Sequence, residues 1–484
     1  MSPSPPTTGA AYLPTSQVWH VARRLTGGAS PALVSEIAAT GVTAWIDTQL
    51  NPASIDDHTY DAIAARFGSQ TESIASVKSK IDSGALEGWQ RKFSVQCEHV
   101  ARLCWSKRQL QALMTDFWAN HMNVAVMSDG VDESRAHYQA TIRTLAFARF
   151  TDLLVALSKH PAMLTFLDNR SSRREHPNEN QGRELLELHS LGVGSYLEAM
   201  VSSSSRVLTG ETVDNKTGVW QYQPSYHATG AVRVLGWRHP NSSQAAGDGT
   251  ATVMLRYLAR QPATARRLCT KLAQYFVSET PPPALVDRMV ATYLAGDTAI
   301  APVLRLMLTS AEFVASIGAV TRRPLESTVA TVRVLGLGPD KTGYDGVKAL
   351  VWQLEQAGQP PMNWPTPDGF RMASAAWGST NAVLTRWNSN RNIVNGWWPD
   401  TLTRTPTLLA WVHPGALPAT HGQFVDDVAV RLFGRTMTAD HSAAALTFVN
   451  ATADKALTST SPIVTWRLGD LVTLLLDSPY HAYR

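Results

Sequence analysis

Helix punctuation runs the length of this chain and constrains it more than any other feature. Ser30-Pro31 opens PALVSEIAATG with proline at the first helical position, and Gly41 closes it. Ser16 precedes QVWHVARR, which a double glycine stops. Ser106 with Gln109 reads as a capping box before QLQALMTDFWANH. Thr151 reads as the cap of DLLVALSKH, which His160-Pro161 breaks. Roughly fifteen segments in all show apolar residues at helical spacing. Two stretches depart from it. Residues 209–250 hold two β-prone runs, VWQYQ and AVRVLGW, around a turn-rich middle, the pattern of a small hairpin or ordered loop. Residues 358–370, GQPPMNWPTPDGF, are rich in Pro and Gly. The expected fold is mainly α: one large helical domain over 15–484 with a small β-hairpin or loop insertion near 209–250. A sub-boundary is a candidate near 320–360, and residues 1–14, rich in Pro, Ser and Thr, read as a flexible tail.

Charged residues make up 17% of the 484, below the roughly 25% usual for soluble domains, so much surface is expected to be buried. A net charge of +4, with no long Lys/Arg run, argues against a nucleic-acid or membrane-surface partner. No apolar stretch is long enough to span a bilayer. The N-terminus lacks a basic start and an apolar run, so no secretory signal is expected, and Arg23-Arg24 has no apolar run behind it. The compartment stays open between the cytoplasm and a mature exported form. Cys97, Cys104 and Cys269 are too few for a disulfide framework and read as small buried hydrophobes.

The stretch NENQGRELLELHSLG, 178–192, carries the most chemistry. On a helix, Asn180, Glu184 and Glu187 fall within an arc of roughly 60°, with Arg183 beside them, while the leucines face several sides and His189 points away. Buried carboxylates require a partner. They are therefore either a structural network with Arg183, Asn178 and Asn180, or a functional acid/base pair. In FWANHMN, 117–123, His121 lies on an apolar stripe, where a satisfied core histidine is the plain alternative, but Asn120 and Asn123 add polarity unusual for a core. Asp168, ending KHPAMLTFLD, is either an Asx-turn residue or a carboxylate near the site. Seven of the 15 tryptophans lie between Trp352 and Trp411; such rings fill cores or stack on sugars.

FWANHMN, TIRTLAFARFTDLLVALSKHPAMLTFLDN, NENQGRELLELHSLGVGSY and SRVLTG occur in that order. PATARRLCTKLAQYFV, RRPLESTVATVRVLG and GQPPMNWPTPDGF follow, with a later Trp-Gly-Ser. From about residue 16 to the end, this series resembles the bacterial "domain of unknown function 1800" family. The resemblance implies a bacterial protein, often exported and often encoded beside a sulfatase-like partner, but no settled reaction. Its motif positions fall on Asn120, His121, Arg143, His160, Asp168, Asn169, Asn178, Glu179, Asn180, Arg183, Glu184, Glu187 and His189. Where the family often has His-Asp near the hairpin, this chain has His227-Ala228.

The leading expectation is a carboxylate-dependent hydrolase or lyase acting on a carbohydrate, without a resident cofactor. Glu184 or Glu187 would be the general acid, the other or Asp168 the base or nucleophile, and His121 an orienting or proton-shuttling group. Asn120, Asn178, Asn180 and Arg143 or Arg183 would hold substrate, and Trp364, Trp377 and Trp387 would offer stacking faces. The basic loop 170–175 would suit an acidic glycan. One alternative is a metal-dependent enzyme with Glu184, Glu187, His121 and Asp168 as ligands of a divalent ion, against which His189 lies off the carboxylate face. The other is a non-catalytic exported binding or assembly protein. Oligomeric state is not legible.

Overall fold

A computed structural model describes residues 9–484; residues 1–8 of the expected tail lie outside the described residues. From Gly9 onward the tail is packed rather than flexible. Gly9–Tyr12 form a 3-10 turn, and the Gly9 N–H donates to the Gly318 carbonyl at 2.9 Å. Tyr12 stacks between His441 and Tyr483.

The fold is 58% helical and mainly α. Local signals set many of the ends. The Ser30 hydroxyl accepts from the Leu33 N–H, and Gly41 at φ +85° ends Pro31–Thr40. His160 caps Pro161–Phe166, its Nδ1 accepting from the Ala162 N–H at 3.2 Å. Two caps differ from expectation. The Ser106 hydroxyl donates to Asp57 at 2.6 Å and accepts from the Arg108 N–H at 3.0 Å rather than from Gln109. Gln109–His121 begins after Arg108, and Gln109 bonds the Gly27 N–H and the Ser106 carbonyl. Thr151 lies inside Phe150–Ser158, bonded to Thr298, a partner distant in sequence.

One apolar core extends from Val21 to Tyr480 and takes in Leu325, Val329, Leu350 and Leu354, so packing is continuous through 320–360. Cys97, Cys104 and Cys269 are free and buried in it. No helix of the described residues is long and apolar enough to cross a membrane. The two β-prone runs do not pair with each other. Trp220–Tyr222 pairs with Glu211–Val213, and Val232–Val234 with Trp237–His239, giving two antiparallel hairpins. A third pair, Gly338–Asp340 with Leu402–Thr403, joins segments too far apart for local pattern to reveal.

Candidate active site

Asn178 caps the opening helix of the carboxylate stretch, its side-chain oxygen accepting from the Asn180 N–H at 2.9 Å. Gly182 presses this helix onto Glu198–Leu208: a Cβ there would lie 2.3 Å from the Ser205 hydroxyl oxygen. After one and a half turns, Glu179–Glu184, the chain widens into a π-turn over Leu185–His189. Such turns add a residue to the helical repeat and concentrate at functional sites. Ser190 takes up the Leu185 carbonyl at 2.5 Å. The result buries Leu185, Leu186 and His189, while Glu184 and Glu187 remain half-buried.

Three elements converge on these two carboxylates. Burial and the neighbouring Glu187 raise the Glu184 carboxyl above its usual range; Arg183 opposes the shift and Asp368 adds to it. Glu187 accepts a short hydrogen bond from the Tyr196 hydroxyl. From Pro262–Phe276 come Arg267, whose Nε donates to the Leu188 carbonyl at 3.2 Å, and Lys271. Burial and the charge of Arg267 lower Lys271 to about 8, with Asp368 acting the other way. From the Pro-rich loop comes Asp368, whose Oδ1 accepts from Trp364 Nε1 at 2.9 Å and Thr366 Oγ1 at 2.5 Å.

His121 lies beneath this surface. Its Nδ1 is 3.2 Å from Lys271 Nζ and its Nε2 3.3 Å from the His189 carbonyl. Since an ammonium only donates and a carbonyl only accepts, Nδ1 accepts and Nε2 carries the proton. The ring is thus neutral, in keeping with burial and Lys271 holding its pKa well below 6.5. Both nitrogens are engaged, so His121 supports Lys271 rather than meeting substrate. Among the described residues no group of three or more His, Cys, Asp and Glu is placed to hold a metal ion.

The remaining expected residues disperse. Asn120 clamps the loop that carries Asp368: its Oδ1 accepts from the Phe370 N–H at 2.6 Å and its Nδ2 donates to the Phe370 carbonyl at 2.9 Å. Asn123 donates to the Trp364 and Thr366 carbonyls in the same way. Asp168 is exposed, at φ +55°, and bonds Ser171 and Asn178 as a turn residue. Asn180 donates to the Leu167 carbonyl. Arg143 faces Glu98 at 3.5 Å, in a separate buried cluster with Arg102. Arg183 pairs with Glu198. In the basic loop, Arg170 bonds Asn215, Arg173 stacks on Tyr226 and Arg174 pairs with Glu175, leaving no convergent cationic surface. Trp364 supports Asp368, and Trp377 joins it across the Phe370 ring. Trp387 lies elsewhere, in a groove described below.

Asp368, Lys271, Arg267 and Tyr196 belong to this site and were not singled out from sequence. Lys271 and Arg267 stand four apart, on one helix face, which was a usable signal. Asp368 sits on a loop and gave none. A second titratable pair also escaped notice: Glu211, buried and pushed up to about 7, faces Lys159 at 3.2 Å beneath the Trp220 ring.

No curated protein and no solved structure matches the chain. One sequence family does, described as protein of unknown function (DUF1800), over residues 20–483. That span takes in the carboxylate helix, the lysine helix and the aspartate loop together, and the chain is a member of the DUF1800 family.

Proposed function

We propose that this protein is a carboxylate-dependent glycoside hydrolase. The observation carrying the reading is the unequal environment of two carboxyl groups on different elements. Glu184 is raised by burial and a like-charged neighbour, whereas Asp368 is held by two hydrogen-bond donors. Two carboxyls in unequal surroundings, one of them raised, can divide the acid and base roles of glycosidic cleavage. Protonated Glu184 gives its proton to the leaving oxygen as the anomeric C–O bond breaks. Asp368 takes a proton from the water that attacks the anomeric carbon. Arg267 and Lys271 face an anionic group on the sugar, Tyr196 fixes Glu187, and the half-exposed Trp364 offers a ring beside Asp368.

Lys271 near 8 beside Arg267 also favours a second reading, β-elimination from a uronic acid chain. There Arg267 would neutralise the carboxylate and Lys271 would remove the proton next to it. Purified protein incubated with neutral and acidic polysaccharides tests both readings. Hydrolysis yields reducing ends alone; elimination also yields a conjugated product absorbing in the ultraviolet. Turnover by wild type that disappears in Glu184→Gln and Asp368→Asn, with melting temperatures near wild type, is the expected result. Cleavage that survives both substitutions would remove these residues from the mechanism.

A further inference from the structure

None of the seven tryptophans between Trp352 and Trp411 is fully buried, although Trp45 and Trp118 elsewhere are. Two of them, Trp387 and Trp411, border one seam. Helices Thr380–Asn395 and Leu468–Leu476 pack antiparallel: Asn390 bonds Asp477 at 2.8 Å, while Asn395 lies against Gly469. Two adjoining cavities lie along this seam, and a third lies at its Asn395 end. The first, 250 Å³, has Trp387 and Asp477 on its wall along with Tyr480. The second, 310 Å³, shares Trp387 and Asp477 and adds Arg391, Phe448, Arg467 and Asp470. The third, 570 Å³, begins at Trp466, the residue before Arg467, and is lined by Asn395, Arg404 and Trp411. From Trp387 to Asn395 the helix alone advances roughly 12 Å.

The lining combines apolar rings with planar polar groups. Trp387 is 42% exposed, Phe448 51% and Trp466 71%. Their positions are held from the polar side. The Arg467 guanidinium lies 5.4 Å from the Phe448 ring centre and 5.3 Å from that of Trp466, and Asp470 pairs with it at 3.0 Å. Asp477 is fixed by Asn390, and burial pushes its carboxyl up to about 7. Rings for the apolar faces of sugars, with carboxyl, amide and guanidinium groups for their hydroxyls, match an oligosaccharide; a membrane would favour unpaired cations, whereas Arg467 is paired with Asp470.

We propose that this seam is a glycan-binding groove that holds an extended polysaccharide chain, distinct from the carboxylate site. The proposal takes its ligand class from the carbohydrate reading above, but it concerns binding alone and needs no turnover. Chain continuity links the two places, since Thr380 follows three residues after Trp377.

The test is affinity electrophoresis of the full chain in gels containing laminarin, xylan, carboxymethylcellulose, alginate or chondroitin sulfate. Wild type would run beside Trp387→Ala, Trp466→Ala and Glu184→Gln, each checked for an unchanged melting temperature. The expected result is retardation of wild type and Glu184→Gln by at least one polymer, weakened roughly tenfold or more in both tryptophan variants. Both exchanges are at exposed side chains, so folding is retained, and Trp387→Phe should recover part of the retardation. Retardation equal in all four proteins, or none of wild type in any gel, overturns the groove. So does a dimer that Trp466→Ala dissolves in the absence of any retardation, which would make the seam a contact between copies. Retardation of Glu184→Gln without turnover by wild type would leave the groove standing and sink the hydrolase.

Discussion

Helices Gln109–His121 and Pro262–Phe276 face each other across two ionic clusters about one turn apart, and the two are built on opposite rules. Nearer the core, Asp116 accepts from Tyr275 at 3.2 Å and from Arg323 at 3.1 Å, and bonds His99 at 3.1 Å. Arg323 goes on to Glu326, which Arg484 closes at 2.8 Å. Burial alone would raise Asp116, but His99 and Arg323 hold it at about 2. One turn on, His121 and Lys271 belong to the half-open cluster, where Lys271 sits beside Arg267 and Glu184 beside Glu187. In the first cluster each acid is salt-bridged to a base. In the second, Glu184 beside Glu187 and Lys271 beside Arg267 are in no salt bridge among the described residues, and Arg183 and Asp368 only partly offset their like-charged neighbours. Sealed, balanced charge fixes a fold, whereas unbalanced charge at a surface is stability given up for something else.

Removing one partner from each place should separate the two rules. Asp116→Asn leaves Arg323 buried with a weaker partner, and urea unfolding should show a loss of about 3–5 kcal/mol. A loss below about 1 kcal/mol would contradict the structural role. Lys271→Met should act in the opposite sense. Lys271 titrates near 8 in the fold and near 10.4 in an unfolded chain, so between those values the native state binds fewer protons. Wild-type stability should therefore rise from pH 8 to 10.4. The variant should be flat there and roughly 1–3 kcal/mol more stable at pH 7. A variant less stable than wild type at pH 7 would put Lys271 in the balanced class.

Smaller effects sharpen the contrast. Asn120→Ala unpairs the Phe370 backbone, for about 1–2 kcal/mol, and should lower turnover by releasing Asp368, which a paired stability and activity measurement would reveal. Glu184→Gln should change stability least, within about 0.5 kcal/mol, while turnover falls roughly 10²–10⁴-fold. A large loss of stability in this variant would show the carboxylate pair to be structural after all.

Much of this was legible in the sequence, and what was missed shares a cause. Helix starts such as Ser30-Pro31 and the break at His160-Pro161 are written in four or five adjacent residues, and they hold. Glu184 and Glu187 lie three apart on one helix, so their shared face follows from geometry. Ser106, Thr151 and the strand Leu402–Thr403 find partners between 49 and 147 residues away, and local pattern holds no record of these. Asp168 attracted notice because it lies close in sequence to the carboxylate helix. The aspartate whose charge reaches Glu184 is Asp368, delivered by a loop with no periodicity. The asparagines of FWANHMN looked out of place in a core because their partners, Trp364 to Phe370, lie some 240 residues on.

That clamp bears on how the molecule comes into being. A ribosome that has released the carboxylate helix and the lysine helix has still not made the aspartate loop, and the seats waiting for it on Asn120 and Asn123 stay empty until residue 370 emerges. On the proposed reading, activity would require that last loop. A chain cut short before that point would carry Glu184 and Lys271 but lack Asp368 and the loop that Asn120 and Asn123 hold. The family match, over 20–483, spans both halves of the clasp.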